Sequence, residues 1–276
     1  MVITICNFKG GVGKTSTCHA LSTIKGMNRN KVLVIDLDGQ HSLTTSCGID
    51  VKTFNNNTTT ICDLFMAELN NIEYNINDIL ESIIHLKNID IIPSTKMLSF
   101  CDRELTKKNR VNALENILNK IKGNYDYIFL DCSPTRNNIC ENALLSSDSV
   151  IIPVESYYLG SEGLYDFIEL INDMNNKFNK NIYIEGIILT MFQNTNLCKT
   201  IKEYIVDAIS SKNKQNIVKD STGKKIKVFS ETIPRSIKVA EAGLYGKSIV
   251  EYLPNNPVSK QYIKIAEQIK NVKRWN

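Results

Sequence analysis

A glycine-rich stretch near the start of the chain constrains the fold more than any other segment. Residues 8–16 read Phe-Lys-Gly-Gly-Val-Gly-Lys-Thr-Ser, after an apolar, strand-like run at residues 2–6 and before a helix-like segment at residues 17–24. Glycines let backbone N–H groups turn inward without Cβ clashes, and the start of the helix adds partial positive charge. A strand, a glycine-rich turn, a Lys-Thr pair and a helix in this order predict a phosphate-binding loop.

The polar side chains of this loop have predicted roles. Lys14 is expected to reach the β- and γ-phosphates of a nucleotide, and the hydroxyl of Thr15 is expected to bind Mg²⁺. The alternative is a glycine-rich turn with incidental lysines, but the strand–helix setting favours the phosphate-binding loop. The residues predicted to bind the nucleotide here are Gly10, Gly11, Val12, Gly13, Lys14, Thr15 and Ser16.

One position departs from the usual pattern, and a second lysine accompanies it. Phe8 stands where the usual motif has its first glycine, and Lys9 and Lys14 bracket the Gly-Gly-Val-Gly core. The loop thereby resembles the deviant Walker A motif of the ParA/MinD superfamily of ATPases. The resemblance implies an ATP-sandwiched homodimer in which Lys9 contacts the partner's nucleotide, so that Lys9 and Lys14 both serve catalysis.

Carboxylates follow two further apolar strands, where a nucleotide's metal ion is expected. Asp36 and Asp38 end the run Val-Leu-Val-Ile-Asp-Leu-Asp, and Asp131 ends Tyr-Ile-Phe-Leu-Asp. Asp38 is predicted to orient or activate the attacking water, and Asp36 and Asp131 are predicted to hold Mg²⁺. The alternative is that these acids only cap strands. The segments resemble the superfamily's Asp-x-Asp-Pro-Gln and Walker B motifs, except that Gly39 replaces the proline and predicts a looser switch loop.

Apolar strands alternate with helical segments along the chain, which predicts an α/β fold. Nearly continuous apolar strands are typical of a parallel sheet that is covered on both faces. We therefore expect a doubly wound, mostly parallel sheet flanked by helices, with ATP at the carboxyl ends of the strands. Further strands are predicted at 88–93, 149–154 and 182–191, and helices at 96–122 and 138–145.

Length and composition fit one cytoplasmic domain. The 276 residues are 42% hydrophobic and 22% charged, without an export signal or an apolar run of about 18 residues. We expect a single P-loop ATPase domain over 1–276, with a basic insertion near 211–227 and a C-terminal helix near 258–273. The eight cysteines contain no CxxC pair, which indicates reduced thiols and gives no spacing for a metal or iron–sulfur site.

Charge is distributed unevenly along the chain. Residues 1–198 carry 17 basic and 22 acidic side chains, whereas residues 199–276 carry 16 basic and 7 acidic ones. The basic C-terminal third predicts a polyanionic partner, with a lysine-rich solvated surface as the alternative. By resemblance, Lys238 stands where chromosomal relatives have a DNA-binding residue, but Asn194 replaces the arginine that ParA-type proteins often use. The candidate DNA contacts are Lys199, Lys202, Lys224, Lys225, Lys227 and Lys238.

The last part of the chain carries the most family-specific sequence. Residues 232–242 resemble the superfamily's Ile-Pro-Arg…Glu-Ala segment, which implies that Pro234 and Arg235 lie against the adenine. The helix near 258–273 has apolar positions at helical spacing and is expected to pack on the sheet. It lacks the bulky exposed apolar face of a MinD-like membrane anchor, so a membrane partner is not expected.

The leading hypothesis is a partition ATPase for a plasmid or chromosome, associated with the nucleoid. The resemblance implies Mg²⁺-dependent ATP hydrolysis with slow intrinsic turnover, a homodimer on nonspecific double-stranded DNA, and stimulation by a ParB-like centromere-binding partner. One alternative is a MinD-like positioning ATPase on membranes, and another is a metal-cluster or reductase ATPase of the same superfamily. The segment at 233–242 favours partition, whereas a purely structural role leaves the phosphate loop and acidic strand ends unexplained.

Overall fold

The computed structural model describes residues 1–55, 58–156, 161–214 and 226–270. In this part of the chain, eight strands form one sheet in the spatial order β3-β4-β2-β5-β1-β6-β7-β8. The strands are β1 (Val2–Ile5), β2 (Val32–Leu37), β3 (Ile84–His85), β4 (Asp90–Ile92), β5 (Tyr127–Cys132), β6 (Ser149–Glu155), β7 (Tyr183–Phe192) and β8 (Val228–Pro234).

Twelve α-helices connect and cover these strands within the described residues. They are α1 (Lys14–Met27), α2 (Ser42–Ser46), α3 (Ile61–Asn70), α4 (Ile76–Leu80), α5 (Leu98–Lys108), α6 (Ala113–Ile121), α7 (Asn138–Leu145), α8 (Ser161–Phe178), α9 (Asn196–Lys214), α10 (Lys238–Leu244), α11 (Ile249–Tyr252) and α12 (Pro257–Gln268). None of these helices is both long and apolar enough to cross a lipid bilayer.

The sheet confirms the predicted fold class. All neighbouring strands are parallel except the short pair β3 and β4, which is antiparallel at one edge. The chain passes from β1 outward to β2 on one side, and later continues from β6 to β8 on the other side. The strand order therefore reverses next to β1, which is where doubly wound sheets bind ligands.

Hydrophobic cores lie on both faces of the sheet, which explains the continuous apolar strands. In β5, Ile128 and Leu130 pack into one core, whereas Tyr127 and Phe129 pack into the other. Side chains of a strand alternate between faces, so a strand covered on both sides must be apolar at every position. The first core lies against α3 and α5–α8, and the second lies against α1 and α10–α12.

The prediction of continuous helix over 96–122 is wrong. Helix α5 ends at Lys108, and Asn109 follows with a left-handed φ of 48°. A left-handed residue cannot continue a right-handed helix, and asparagine tolerates this conformation better than most residues. A new helix, α6, begins at Ala113 and keeps the same apolar periodicity, which concealed the break.

Two strands and the chain's last helix differ from expectation. Strand β8 was not predicted, because as an edge strand it mixes buried and exposed positions instead of forming an apolar run. Short β3 was also missed. Helix α12 ends at Gln268, and Ile269 after it is extended, so the helix is shorter than the predicted 258–273. Most of the predicted insertion, residues 215–225, and residues 271–276 lie outside the described residues.

Candidate nucleotide-binding site

The glycine-rich loop connects the end of β1 to the start of α1 at the carboxyl edge of the sheet. Gly11 and Gly13 have φ values of 75° and 82°, which residues other than glycine rarely adopt. Gly13 directly precedes α1, so the loop wraps around the start of that helix. Gly10 is exposed, Val12 is buried, and Ser16 lies half-buried in the first turn of α1.

Lys14 turns back into the loop. Its side chain is buried, with 7% of the residue exposed, and its ammonium donates a hydrogen bond of 2.9 Å to the carbonyl of Lys9. Burial lowers the pKa of Lys14, and the negative charge of Asp131 opposes this effect. A buried ammonium that is aimed at the inside of a glycine loop is suited to a phosphate group.

Two carboxylates meet directly behind this loop because their strands are in register. Asp36 on β2 is the pairing partner of Asp131 on β5. Asp36 accepts hydrogen bonds at Oδ2 from the backbone N–H and hydroxyl of Thr44, at 2.8 and 2.7 Å, and at Oδ1 from the N–H of Asp38. Burial raises the pKa of Asp36 to about 6, against these hydrogen bonds.

Asp131 has an unused oxygen. The hydroxyl of Thr15 donates to its Oδ2 at 2.7 Å, whereas Oδ1 is buried and has no hydrogen-bond partner within the described residues. Burial and the neighbouring charge of Asp36 raise the pKa of Asp131 well above its usual range. A buried pair of carboxylates needs positive charge and donors, so Thr15, Asp36 and Asp131 fit a hydrated Mg²⁺ ion.

Asp38 lies at the rim of the site, in the turn that follows β2. Its side chain is half-buried and accepts a hydrogen bond of 2.9 Å from the N–H of Gln40. Its carbonyl accepts another from the N–H of His41, which closes the turn. This rim position leaves the carboxylate of Asp38 reachable from solvent, as a residue that orients water requires.

Lys9, in contrast to Lys14, points out of the loop. It is exposed, and its ammonium lies 2.9 Å from a carboxylate oxygen of Glu155 at the end of β6. Its backbone N–H donates to the side chain of Asn7, whose amide donates to the carbonyl of Pro153. The side chain of Glu155 and the backbone carbonyl of Pro153, at the end of β6, thus hold the first half of the loop.

Phe8 packs the loop against helix α8. Its ring meets the ring of Phe167 on α8 edge to face, with centroids 5.0 Å apart and an interplanar angle of 82°. Such aromatic pairs add about 0.5–1.5 kcal/mol beyond the area they bury. Phenylalanine in place of the usual glycine therefore makes the backbone less flexible at this position and adds a packing contact.

Three residues that support the site were not singled out from the sequence. Thr44 holds Asp36, Glu155 holds Lys9, and the hydroxyl of Thr190 lies within hydrogen-bond distance of the carbonyl of Val12, at 2.9 Å. Each lies at or just after the carboxyl end of a strand or in the helix that follows it. A polar residue at this edge of a parallel sheet is the sequence feature that could have identified Glu155 and Thr190.

The predicted adenine contacts, Pro234 and Arg235, lie at the end of β8, next to the strand β7 that contacts the loop. Pro234 pairs with Phe192 at the end of β7, and the N–H of Arg235 donates to the carbonyl of Phe192. Strand β7 also carries Thr190, which contacts the loop. Pro234 and Arg235 therefore share the carboxyl edge of the sheet with the loop, and their contact with adenine remains a prediction.

Two of the candidate DNA-binding lysines that the structure describes lie at opposite ends of one strand. Lys227 precedes β8 and pairs with Glu185 at 3.6 Å, whereas Lys238 follows β8 and pairs with Glu241 at 2.6 Å. The seven residues of β8 separate these two ends by about 20 Å. Lys202 donates to the carbonyl of Ser230. Lys199 is exposed, and Lys224 and Lys225 lie outside the described residues.

The loop and the carboxyl edge define a class of protein. A glycine loop between the first strand and its helix, with paired carboxylates on the adjacent parallel strands, is the arrangement of P-loop nucleoside triphosphatases. A family model described as an AAA domain matches residues 1–184, which include the loop and all three acidic positions.

Comparisons with known proteins assign the family. The chain is 31% identical to the sporulation initiation inhibitor protein Soj of Bacillus subtilis (strain 168), over 97% of both proteins. It is 29% identical to the chromosome partitioning protein ParA of Caulobacter vibrioides (strain NA1000 / CB15N), over 97% of this chain and 93% of that protein. The crystal structure of a putative plasmid partition protein from Borrelia burgdorferi B31 bound to AMPPNP is also similar, with a TM-score of 0.66 and 28% identity, covering 97% of this chain and 94% of that one. The chain belongs to this AAA-domain family, within the ParA/MinD superfamily of ATPases.

Proposed function

We propose that this protein is a partition ATPase that hydrolyses ATP with Mg²⁺ and moves plasmid or chromosomal DNA within the cytoplasm. The relatives named for chromosome and plasmid partition support this function. The observation that carries it is the opposite orientation of two lysines in one loop. Lys14 is buried and turned inward, whereas Lys9 is exposed at the surface where a second subunit is proposed to bind.

Each residue of the site has a proposed task in hydrolysis. The N–H groups of the loop and the ammonium of Lys14 bind the phosphates, while Thr15, Asp36 and Asp131 hold Mg²⁺ through its ligand shell. When bound, Mg²⁺ neutralises charge on the phosphates. Asp38 orients the attacking water from the rim. Intrinsic turnover is slow in this scheme, because Lys9 adds its positive charge only after an ATP-bound dimer forms.

The ATP-bound homodimer is proposed to bind nonspecific double-stranded DNA through the basic C-terminal third. Of the candidate residues, Lys199 and Lys202 lie in α9, which follows the carboxyl end of β7, and Lys238 begins α10, which follows the carboxyl end of β8. Phosphate contacts by such lysines give affinity that falls with salt and does not depend on sequence. A ParB-like partner would then stimulate hydrolysis and release the dimer from the nucleoid.

The decisive experiment is binding to nonspecific double-stranded DNA with ATP, with ADP and without nucleotide, at two salt concentrations. We expect binding that needs ATP, weakens with salt and is lost in Lys14→Ala. Lys31→Ala is the matched control, because Lys31 is exposed at the opposite end of β2 from the site. Normal ATP binding without DNA binding at either salt would contradict the proposal, and ATP-dependent binding to liposomes would then support a positioning ATPase.

A further inference from the structure

Cys6 meets Cys132 and Cys140 in the fold, although it lies far from both in the sequence. The sulfur atoms of Cys6, Cys132 and Cys140 all lie within 4.8 Å of one another, and those of Cys6 and Cys140 are 3.4 Å apart. Their residues are 0%, 2% and 2% exposed. The expectation that the cysteines cannot form a metal site is therefore wrong for these three. Spacing in the sequence reveals only those metal ligands that lie close together along the chain.

The topology explains how this cluster arises. Ile5 on β1 pairs with Asp131 on β5, so the next residue of each strand, Cys6 and Cys132, emerges at the same level of the sheet. Both side chains belong to the same hydrophobic core as Cys140 on α7, the helix that follows β5. The three sulfurs thus come from two neighbouring parallel strands and the helix that covers them.

The distances suit a metal ion at the centre of the three sulfurs. Three thiolates that each lie about 2.3 Å from one ion, the usual zinc–sulfur distance, are about 4 Å apart in a trigonal plane. This value lies between the 3.4 Å separation of Cys6 and Cys140 and the 4.8 Å limit for the whole group. Among the histidine, cysteine, aspartate and glutamate residues that the structure describes, no fourth ligand joins the group. Structural zinc sites almost always have four ligands, so a group of three suits zinc poorly. Thiolate ligands favour soft metal ions.

We propose that Cys6, Cys132 and Cys140 form a buried, three-coordinate binding site for a soft divalent metal cation of the Cd²⁺ type. The three thiols bind as thiolates and release their protons to solvent, which leaves one net negative charge on the complex. The positive charge of Lys14 acts on Cys6 and Cys140 and offsets part of that negative charge, which lowers the cost of burying it.

The test is a titration of the reduced, metal-free, full-length protein with Cd²⁺ in the absence of oxygen and of thiol reductants. We expect thiolate-to-metal charge-transfer absorption that saturates at one equivalent per chain. The ¹¹³Cd chemical shift should be that of three sulfur ligands, with scalar coupling to the β-protons of the three cysteines. Because this coupling identifies the ligands in the unmodified chain, the result does not depend on whether a variant folds.

Variants provide the second arm of the test. Cys140→Ser should weaken Cd²⁺ binding by about tenfold or more, because it leaves two thiolates. Cys198→Ser is the matched control, since Cys198 is also fully buried but lies outside the cluster. Cys62→Ser/Cys101→Ser tests another pair of neighbouring cysteines in the same core, in which the thiol of Cys101 donates to the carbonyl of Cys62. Absence of one-equivalent binding, a four-coordinate ¹¹³Cd shift, or loss of the signal only in Cys62→Ser/Cys101→Ser would overturn the proposal.

Discussion

The ammonium of Lys9 and the carboxylate of Glu155 form an ion pair of 2.9 Å at the surface of the nucleotide site. Lys9 is the lysine that is proposed to act across a dimer. The ion pair holds it against a strand of its own subunit. In the proposed dimer, Lys9 would have to leave Glu155 to reach the partner's nucleotide. We therefore expect Glu155 to compete with dimer formation for Lys9.

Glu155→Gln removes this competition and should favour the ATP-bound dimer. Exposed ion pairs contribute up to about 1 kcal/mol each, and a homodimer has two of them, so the dimer dissociation constant should fall by no more than about thirtyfold. Sedimentation in ATP measures the effect. Glu115→Gln is the control, because it breaks a similar surface pair with Lys180 far from the loop. A weaker dimer in Glu155→Gln would indicate that Glu155 positions Lys9 instead of restraining it.

Asp36 should make the stability of the nucleotide-free protein depend on pH. Burial raises the pKa of Asp36 from 3.8 to about 6, so the folded state holds this proton more tightly than the unfolded chain does. The contribution of Asp36 is therefore most favourable below about pH 4 and is lost as pH rises to about 6. The free energy of unfolding of the wild type, minus that of Asp36→Asn, should fall by roughly 2–3 kcal/mol across this window.

Urea denaturation at a series of pH values, first without Mg²⁺, measures this difference. Saturating Mg²⁺ and ATP should reduce the pH dependence, because a cation beside Asp36 and Asp131 favours their ionised forms. The pKa of Asp131 is also raised, by burial and by the neighbouring charge of Asp36, so its contribution to stability changes with pH in the same direction. A difference that stays constant between pH 4 and pH 6 would show that Asp36 titrates alike in both states.

Phe8 should contribute to stability through its contact with Phe167. Phe8→Gly restores the residue that is usual in phosphate loops but removes a half-buried ring, and should lower the free energy of unfolding by about 2 kcal/mol. Phe8→Leu keeps most of the buried area and should lose less than half of this. Chemical denaturation compares the two variants. Equal stability of Phe8→Gly and the wild type would show that the ring adds nothing to the fold.

Gly39 should be coupled to Ser99. A Cβ atom at Gly39 would lie 3.2 Å from the hydroxyl oxygen of Ser99, a tight contact that the serine side chain can relieve by rotating. Gly39→Ala should stabilise the Ser99→Ala background by about 0.4–1 kcal/mol, by restricting the unfolded chain, and should stabilise the wild type less.

A double-mutant cycle of these two positions, followed by denaturation, measures the coupling. Gly123→Ala is the control, because a Cβ there meets no atom within 4 Å, and its effect should not depend on Ser99. Identical effects of Gly39→Ala in both backgrounds would exclude the contact.

The sequence predicted most of the fold because parallel strands that are buried on both faces must be apolar throughout. The runs that end at Asp36 and Asp131 show this pattern, and both are central strands. Strand β8 does not show it, because an edge strand leaves some positions exposed. The break at Asn109 was also invisible to periodicity, since α5 and α6 bury apolar residues at the same spacing on either side of it.

By itself, the sequence determined the phosphate loop, its two lysines and the acidic ends of two strands. These features depend on neighbouring residues, whose order fixes the local backbone. Tertiary structure alone decided that Asp36 pairs in register with Asp131, that Glu155 holds Lys9 and that Cys6, Cys132 and Cys140 meet. Strand order and register set such contacts, because they place residues that are far apart in the sequence at one level of the sheet.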